Sequence, residues 1–120
     1  IAVSSIAGLK GLKGASAYTA SKHGMIGLIR ALAADHLGRG VTFNALCPGY
    51  VDTAIVTDNT SRIMARTGMS EADARDVMIG QNAHRRLIEV DEVADAAIWL
   101  CSDGARSVNG QAIQIAGGQY

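Results

Sequence analysis

Ala17-Tyr18-Thr19-Ala20-Ser21-Lys22 is the stretch on which the interpretation of the chain depends. Tyr18 and Lys22 are four residues apart, so on a helix their side chains lie on one face, one turn apart. An ammonium group at that position favours the phenolate, because a nearby opposite charge stabilises the charged form of a titratable group. The pair therefore predicts a proton-transferring tyrosine on a helix.

Two apolar, strand-like runs flank that helix. The first, Ile1 to Ser5, would place the Ser5 hydroxyl at the carboxyl end of a sheet, the edge at which open α/β sheets bind ligands. The second, Val41 to Cys47, leads into Pro48-Gly49-Tyr50-Val51-Asp52-Thr53. A lysine four residues after a tyrosine is common by chance, so the functional signal comes from the whole set.

With these features together, the chain resembles the carboxyl-terminal half of a short-chain dehydrogenase/reductase, from Ile1 to Gly117-Gly118. The resemblance implies an α/β fold: an NAD(P)-binding, Rossmann-like, doubly wound parallel sheet, of which residues 1–120 form the carboxyl-terminal half. It also implies NAD or NADP as cofactor, and hydride transfer between the nicotinamide and a secondary alcohol or ketone.

The resemblance assigns roles to three side chains. Tyr18 would be the general acid/base, and Lys22 would favour its phenolate and also hydrogen-bond the nicotinamide ribose. Ser5 would hold the substrate oxygen and stabilise charge that develops on it. Ser4 competes for that last role, but the 13-residue spacing between Ser5 and Tyr18 selects Ser5. Ser5 and Tyr18 are thus the expected substrate-binding residues, and Tyr18 and Lys22 also contact the cofactor.

The segment after the second strand resembles the family's loop over the nicotinamide. By that resemblance, Val51 supplies backbone groups to the carboxamide and Thr53 supplies a hydroxyl. Gly49 lets the backbone approach closely, and Pro48 fixes the turn. Taken alone, Pro-Gly after a strand would indicate only a turn.

The phosphate-binding part of such a fold is not evident in the sequence. Gly8, Gly11 and Gly14 are spaced by three and lie too close to the helix to form a phosphate turn, so residues 6–15 are interpreted as a flexible loop. The chain starts at Ile1 within a predicted strand. We therefore expect a fragment that lacks the pyrophosphate-binding half and is inactive in isolation.

The remaining pattern alternates strands with helices, which predicts parallel β-α-β units. Asn44, on the second predicted strand, is expected to bond the backbone or to pack at the sheet. The first predicted helix covers 16–37, with Ser16 as its N-cap and Gly38 as its stop. A short mobile helix over 53–68 follows, and then a helix that runs from its cap, Ser70, to Gln81. A connector over 82–90 leads to a helix over 92–102 capped by Asp91, and a strand over 111–115 comes last.

Composition narrows the function classes. Hydrophobic residues make up 48% of the chain, charged residues 18%, and the formal net charge is zero, which is a globular composition without a basic nucleic-acid-binding surface. No run approaches the ~20 apolar residues of a membrane span and no signal peptide is visible, so a cytoplasmic protein is expected. Cys47 and Cys101 are interpreted as buried, reduced thiols, and the histidines have no metal-ligand spacing.

Residues 54–82 are expected to form the substrate lid, with Arg62 and Arg66 available for a carboxylate or phosphate. Within the family, the chain looks most similar to enzymes of 3-oxoacyl and 3-hydroxyacyl compounds, including 3-hydroxybutyrate dehydrogenases. The resemblance also implies a homotetramer that pairs the Tyr18 helix with its copy. The small residues Gly24, Gly27 and Ala31 would permit that close approach, and they equally permit packing of the helix on the sheet.

The sequence has two alternative interpretations. A truncated module that folds or binds cofactor only with a partner half is the principal alternative. A serine hydrolase is disfavoured, because the chain contains no Gly-x-Ser-x-Gly motif and no histidine that a motif places beside Ser5.

Overall fold

A computed structural model describes residues 1–119 of the chain. Within them, one parallel sheet has the order β1-β2-β3, with β1 at Ala2–Val3, β2 at Ala45–Pro48 and β3 at Ala112–Ile115. The α-helices of the same residues are α1 at Ser16–Asp35, α2 at Ala54–Thr67, α3 at Glu71–Ile79 and α4 at Val90–Leu100. The predicted α/β class with parallel strands is confirmed.

The central strand β2 is buried along its whole length. Ala45 and Cys47 pack with Ile29 of α1, whereas Leu46 packs with Leu100 of α4. Successive side chains of a strand point to opposite faces of the sheet, so α1 and α4 cover its two faces. A strand covered on both sides is apolar at every position, which is why this stretch shows no alternation of polar and apolar residues.

Helices α2 and α3 pack against each other beside the sheet. Val56 of α2, Met78 of α3 and Leu87 form a third buried cluster, and Tyr50 and Ile63 pack against it. Through Tyr50, the pair packs beside the loop that follows β2. A substrate lid over residues 54–82 stays a prediction, as does its mobility.

The second strand is shorter than the predicted 41–47 because side chains replace its first ladder bonds. The Phe43 N–H donates to Asn109 Oδ1 at 2.8 Å. Asn44 Nδ2 donates to the Val108 carbonyl at 2.8 Å, and Asn44 Oδ1 accepts from the Gln111 N–H at 3.0 Å. The expectation that Asn44 bonds the backbone is confirmed.

The strand is predicted to end at Cys47, but Pro48 is the last residue of β2 and lies opposite Ile115. Proline has no N–H to donate to the ladder. The N–H of the next residue, Gly49, donates to the Ile115 carbonyl at 2.9 Å, so the pairing continues past Pro48.

Several predicted helix limits are corrected. Ser16 is the first helical residue, and Ala15 before it makes no side-chain cap, so Ser16 is not the N-cap. The last long helix is capped by Glu89, not Asp91: the Glu89 and Glu92 side chains form a reciprocal capping box. Ser70 does cap α3, where its hydroxyl accepts from the Asp73 N–H at 3.2 Å.

The ends of the other helices differ by small margins. Helix α1 ends at Asp35 and α3 at Ile79, each two residues before the predicted limit, while α2 is a regular 14-residue helix that ends before Gly68. Gly68 has φ of 73°, a left-handed conformation that glycine adopts without strain.

The two cysteines differ in environment. Cys47 is buried as expected, and this burial raises the pKa of its thiol above the usual value. Cys101 is exposed, which corrects the expectation of a buried thiol. It follows the buried Leu100 directly, and neighbouring residues at a helix end point about 100° apart. Within residues 1–119, no helix combines the length and apolarity that a membrane crossing requires.

The buried side chain of Asn82 holds the connector after α3 in place through hydrogen bonds to the backbone. Its Oδ1 accepts from the Tyr50 N–H at 2.9 Å, and its Nδ2 donates to the Tyr50 and Arg86 carbonyls, both at 2.8 Å. One side chain therefore joins the loop after β2 to the connector before α4.

Replacing Asn82 by alanine is predicted to lower the free energy of unfolding by about 2 kcal/mol or more, because it leaves buried backbone groups of Tyr50 and Arg86 unpaired. Urea unfolding measures this. The neighbouring exposed Gln81→Ala serves as the control and is expected to change stability by less than about 0.5 kcal/mol. Equal effects of the two substitutions would contradict the assigned role of Asn82.

A bidentate ion pair between Arg86 and Glu92 also joins the connector to α4. Arg86 Nη1 donates to Glu92 Oε2 at 2.6 Å, Nη2 donates to Oε1 at 2.8 Å, and the Glu89 N–H also donates to Oε2 at 2.8 Å. These bonds, with that from Arg86 as the largest cause, lower the pKa of Glu92 from 4.5 to about 2. Since the folded-state pKa is the lower one, the ionised carboxylate stabilises the fold above pH about 4.5.

The stabilisation of the fold by the ionised Glu92 carboxylate is predicted to disappear as the pH falls from about 4.5 to about 2. The difference in unfolding free energy between the wild type and Glu92→Gln should therefore be full at neutral pH and shrink across this window. Denaturant unfolding over a pH series checks it. Glu71→Gln, at an exposed carboxylate with no ion pair among residues 1–119, is the control. A Glu92→Gln effect that stays constant with pH contradicts the assignment.

Candidate active site

A cavity of about 690 Å³ lies at the carboxyl ends of β1 and β2. Its walls include six of the residues expected at the site: Ser5, Tyr18, Pro48, Gly49, Val51 and Thr53. Lys22 is not among the lining residues. The fold therefore brings together, around one space, side chains that are up to 48 positions apart in the sequence, from Ser5 to Thr53.

The two adjacent serines use their hydroxyls differently. Ser4 is buried, and its Oγ donates to the Lys22 carbonyl at 3.1 Å. Ser5 is half-buried, and its Oγ accepts from the Ala7 N–H at 3.1 Å. A hydroxyl has one proton to donate, so the Ser4 proton is engaged within the protein while the Ser5 proton remains available. Both serines line the cavity, but Ser5 is the one equipped to donate to a ligand oxygen.

The start of the predicted flexible loop is ordered by this arrangement. Ile6–Gly8 form a buried 3₁₀ turn that Ser5 caps, which corrects the expectation for this part of residues 6–15. A Cβ on Gly8 would lie 2.6 Å from Ser4 Oγ and 2.9 Å from the Lys22 carbonyl oxygen. Glycine is required here because the turn packs directly on α1, a reason that the sequence spacing did not show.

Tyr18 and Lys22 lie on the face of α1 next to the end of β1. Lys22 Nζ is 5.5 Å from the centroid of the Tyr18 ring and donates to the Val3 carbonyl at 3.2 Å. The Tyr18 side chain faces the cavity and is 48% exposed. The predicted pair thus sits on one helical face, with the ammonium held between the tyrosine ring and the strand end.

The loop after β2 presents unused backbone groups. Ile88 forms a parallel bridge with Val51, in which the Ile88 N–H donates to the Tyr50 carbonyl at 3.0 Å and the Asp52 N–H donates to the Ile88 carbonyl at 2.9 Å. This pattern leaves the N–H and the carbonyl of Val51 itself without a partner among residues 1–119. Val51 therefore offers one donor and one acceptor at the cavity wall.

Two neighbours of Val51 complete the loop. Thr53 precedes the first turn of α2 in an extended conformation, but its side chain makes no cap hydrogen bond, so its hydroxyl is available. A Cβ on Gly49 would lie 2.6 Å from Asn82 Oδ1 and 3.3 Å from Ala116 Cβ. The close approach that glycine permits at this position is thus to Asn82, a residue that the sequence pattern did not single out.

Tyr50 separates this cavity from a smaller one beside α2. Burial, and to a lesser extent the charge of Tyr18, raises the pKa of Tyr50 above its usual value. Tyr50 is therefore a neutral phenol at physiological pH.

The histidines lie away from the larger cavity. His23 and His36 each bond a backbone carbonyl within α1 or at its end, and His84 packs against Gly117 with its Nδ1 buried and without a hydrogen bond. None of them lines the cavity that holds Ser5. Within the described part of the chain, the serine-hydrolase alternative therefore has no histidine base at Ser5.

Comparison with known proteins identifies the family of the chain. Residues 1–119 match the model of a family described as enoyl-(acyl carrier protein) reductase. An uncharacterized oxidoreductase of Bacillus subtilis (strain 168), YxjF, is 40% identical over 98% of this chain and 46% of its own length. The acetoacetyl-CoA reductase of Rhizobium meliloti (strain 1021) is 38% identical over 98% of this chain and 45% of its own.

Among solved structures, a variant of actinorhodin polyketide ketoreductase with NADPH superposes with a TM-score of 0.90 at 32% identity. The match covers 98% of this chain and 46% of the ketoreductase. The chain thus spans about half the length of the relatives it matches. Together, the family match over residues 1–119, the identity to these relatives and the shared fold show that the chain belongs to the short-chain dehydrogenase/reductase family.

Proposed function

We propose that this chain is the catalytic part of an NAD(P)-dependent oxidoreductase that transfers hydride between the nicotinamide and a secondary alcohol or ketone. The observation that carries the proposal is that Ser5, with an available hydroxyl proton, and Tyr18 line the same cavity, with the Lys22 ammonium beside the Tyr18 ring. The substrate class that we propose is a 3-hydroxy or 3-oxo acid or acyl thioester. The similarity to an acetoacetyl-CoA reductase and to a polyketide ketoreductase supports that choice.

The residues present fit a nicotinamide cofactor at this edge of the sheet. The unpaired backbone groups of Val51 and the free Thr53 hydroxyl suit a carboxamide, which needs both a donor and an acceptor. Pro48 and Tyr18 add apolar wall beside them, and Lys22 provides an ammonium for a ribose hydroxyl. The bound nicotinamide would supply or accept the hydride. NAD and NADP are both compatible with these residues.

Residues of this chain would transfer the proton and bind the substrate oxygen. In the direction of ketone reduction, Ser5 would donate a hydrogen bond to the carbonyl oxygen and so orient it. Tyr18 would give its phenolic proton to the same oxygen as hydride reaches the carbon, which leaves an alcohol and a tyrosine phenolate. The Lys22 ammonium stabilises that phenolate until it is reprotonated. In the oxidation direction, the same transfers run in reverse.

The walls of the cavity are mostly apolar. Besides the polar groups named above, it is lined by aliphatic side chains of the sheet, of α2 and of α4, among them Val3, Leu46, Val56, Val93 and Ala97. Electrostatic interactions are stronger in such surroundings than in water. A homotetramer of the complete protein remains a prediction from the resemblance.

Tyr18→Phe is predicted to lower kcat/KM at least about 100-fold, because it removes the proton donor while keeping the ring. The assay follows reduced nicotinamide absorbance in the complete protein that contains this chain, with NADH and NADPH and with acetoacetyl-CoA and acetoacetate as substrates. His23→Gln, on the same helix but outside the cavity, is the control and should retain activity. Unchanged turnover by Tyr18→Phe contradicts the mechanism. No turnover by the wild type favours the alternative of a non-catalytic module.

The adjacent serines provide a matched pair for a second prediction. Ser5→Ala should lower kcat about 100-fold or more, because it removes a donor aimed at the oxygen on which charge develops. Ser4→Ala should lower kcat far less and reduce the unfolding free energy by about 1 kcal/mol, since its hydroxyl bonds the Lys22 carbonyl. Steady-state kinetics and thermal unfolding separate the two effects. A larger loss of kcat in Ser4→Ala would reverse the assignment.

A further inference from the structure

A second cavity, of about 310 Å³, lies beside α2 and is lined by Tyr50, Asn59, Arg62, Ile63, Arg66 and Met78. Tyr50 and Asn59 also line the larger cavity. The two spaces therefore adjoin across these two side chains. A ligand whose reacting carbon lies near Ser5 and Tyr18 would therefore extend toward the smaller cavity beside Tyr50 and Asn59.

The wall that α2 contributes is one helical face. Asn59, Arg62, Ile63 and Arg66 follow the spacing i, i+3, i+4, i+7, which places them in one row. Ile63 and Tyr50 pack against the buried cluster that contains Met78, so the base of the cavity is apolar. The guanidinium groups of Arg62 and Arg66 and the amide of Asn59 lie along its exposed side. The guanidinium groups supply positive charge and hydrogen-bond donors, and the amide supplies donors and a neutral acceptor.

The two arginines have no partner within residues 1–119. Neither Arg62 nor Arg66 makes a hydrogen bond or an ion pair there, whereas Arg75 pairs with Asp52 at 3.1 Å and Arg86 pairs with Glu92. Asp58 lies four residues before Arg62, at a spacing that permits an ion pair, but none forms. Like charges one helical turn apart repel each other, so this arrangement gains from an anion placed between them.

The helix dipole explains only part of this pattern. Arg66 lies in the last turn of α2, where a cation is favourable near the carboxyl end of the helix. Arg62 lies a full turn earlier, outside the range of that effect. Its position on the cavity wall is therefore not accounted for by the stability of α2 alone.

We propose that the smaller cavity binds the anionic tail of the substrate, with Arg62 and Arg66 as its ligands. This inference depends on the proposed function, since it assigns the substrate of the same site. Guanidinium groups bind carboxylate and phosphate oxygens through paired N–H donors, and both groups occur in the proposed substrate class. The carboxylate of a free 3-oxo acid and the phosphates of a thioester carrier are the two sources of such an anion. The apolar base of the cavity suits the stem that joins the anion to the reacting carbon.

The test compares Arg62→Gln, Arg66→Gln and the double variant with Arg39→Gln, a surface arginine that lines neither cavity. Three substrates are used with the complete protein: acetoacetyl-CoA, acetoacetate and the neutral ethyl acetoacetate. For the double variant, KM is expected to rise about tenfold or more for an anionic substrate and to stay within about twofold for the neutral ester. A rise with acetoacetyl-CoA alone identifies phosphate, and a rise with acetoacetate alone identifies carboxylate.

Equal KM values for the wild type and the double variant with every substrate overturn the proposal. So does an equal rise for the neutral ester, because that result indicates altered packing of α2. If the wild type turns over none of the three substrates, the proposed function has failed, and calorimetric titration with CoA and with acetoacetate then decides this inference separately. Weaker binding of either anion to the double variant than to Arg39→Gln supports it, and binding that does not differ overturns it.

Discussion

The hydrogen bond from Ser4 Oγ to the Lys22 carbonyl, 3.1 Å long, joins the end of β1 to the first turns of α1. It forms because Gly8 has no side chain, which lets the 3₁₀ turn after β1 pack on the helix. The same contact places the next residue, Ser5, and the first-turn residue Tyr18 on the walls of one cavity. A structural serine and a glycine thus fix the relative position of two groups that the proposed chemistry requires to act on one oxygen.

Buried side chains also hold irregular backbone at the two ends of β2, with Asn44 just before the strand and Asn82 against the loop after it. Two fully buried asparagines, Asn44 and Asn82, satisfy backbone groups at points where the regular ladder does not continue. Asn82 fixes Tyr50, and the bridge to Ile88 then leaves the backbone of Val51 unpaired at the cavity. Buried amides can make several directed hydrogen bonds, so they hold an irregular loop in one conformation. The geometry of the loop at Val51 thus depends on Asn82, which lies 31 positions later in the sequence.

The sequence was sufficient to predict the elements that follow from local patterns. The parallel α/β class and the helix bearing Tyr18 and Lys22 depend on apolar periodicity and short spacings. The first strand was predicted to reach Ser5, but β1 ends at Val3, and Ser5 caps the 3₁₀ turn that follows. The caps at Ser16 and Asp91 were wrong because neighbouring residues compete to start a helix, and tertiary packing decides between them. The contacts of Gly8, Gly49 and Asn82 had no local signal, since each depends on a residue brought close only by the fold.

The most direct measurement is a crystal structure of the complete protein with nicotinamide cofactor and a substrate-like ketone or alcohol. The proposed mechanism requires that Tyr18 Oη and Ser5 Oγ both lie within about 3.2 Å of the same ligand oxygen, with the Ser4 hydroxyl still bonded to the Lys22 carbonyl. A ligand oxygen bound by Ser4 in place of Ser5, or one placed out of reach of Tyr18, would contradict it.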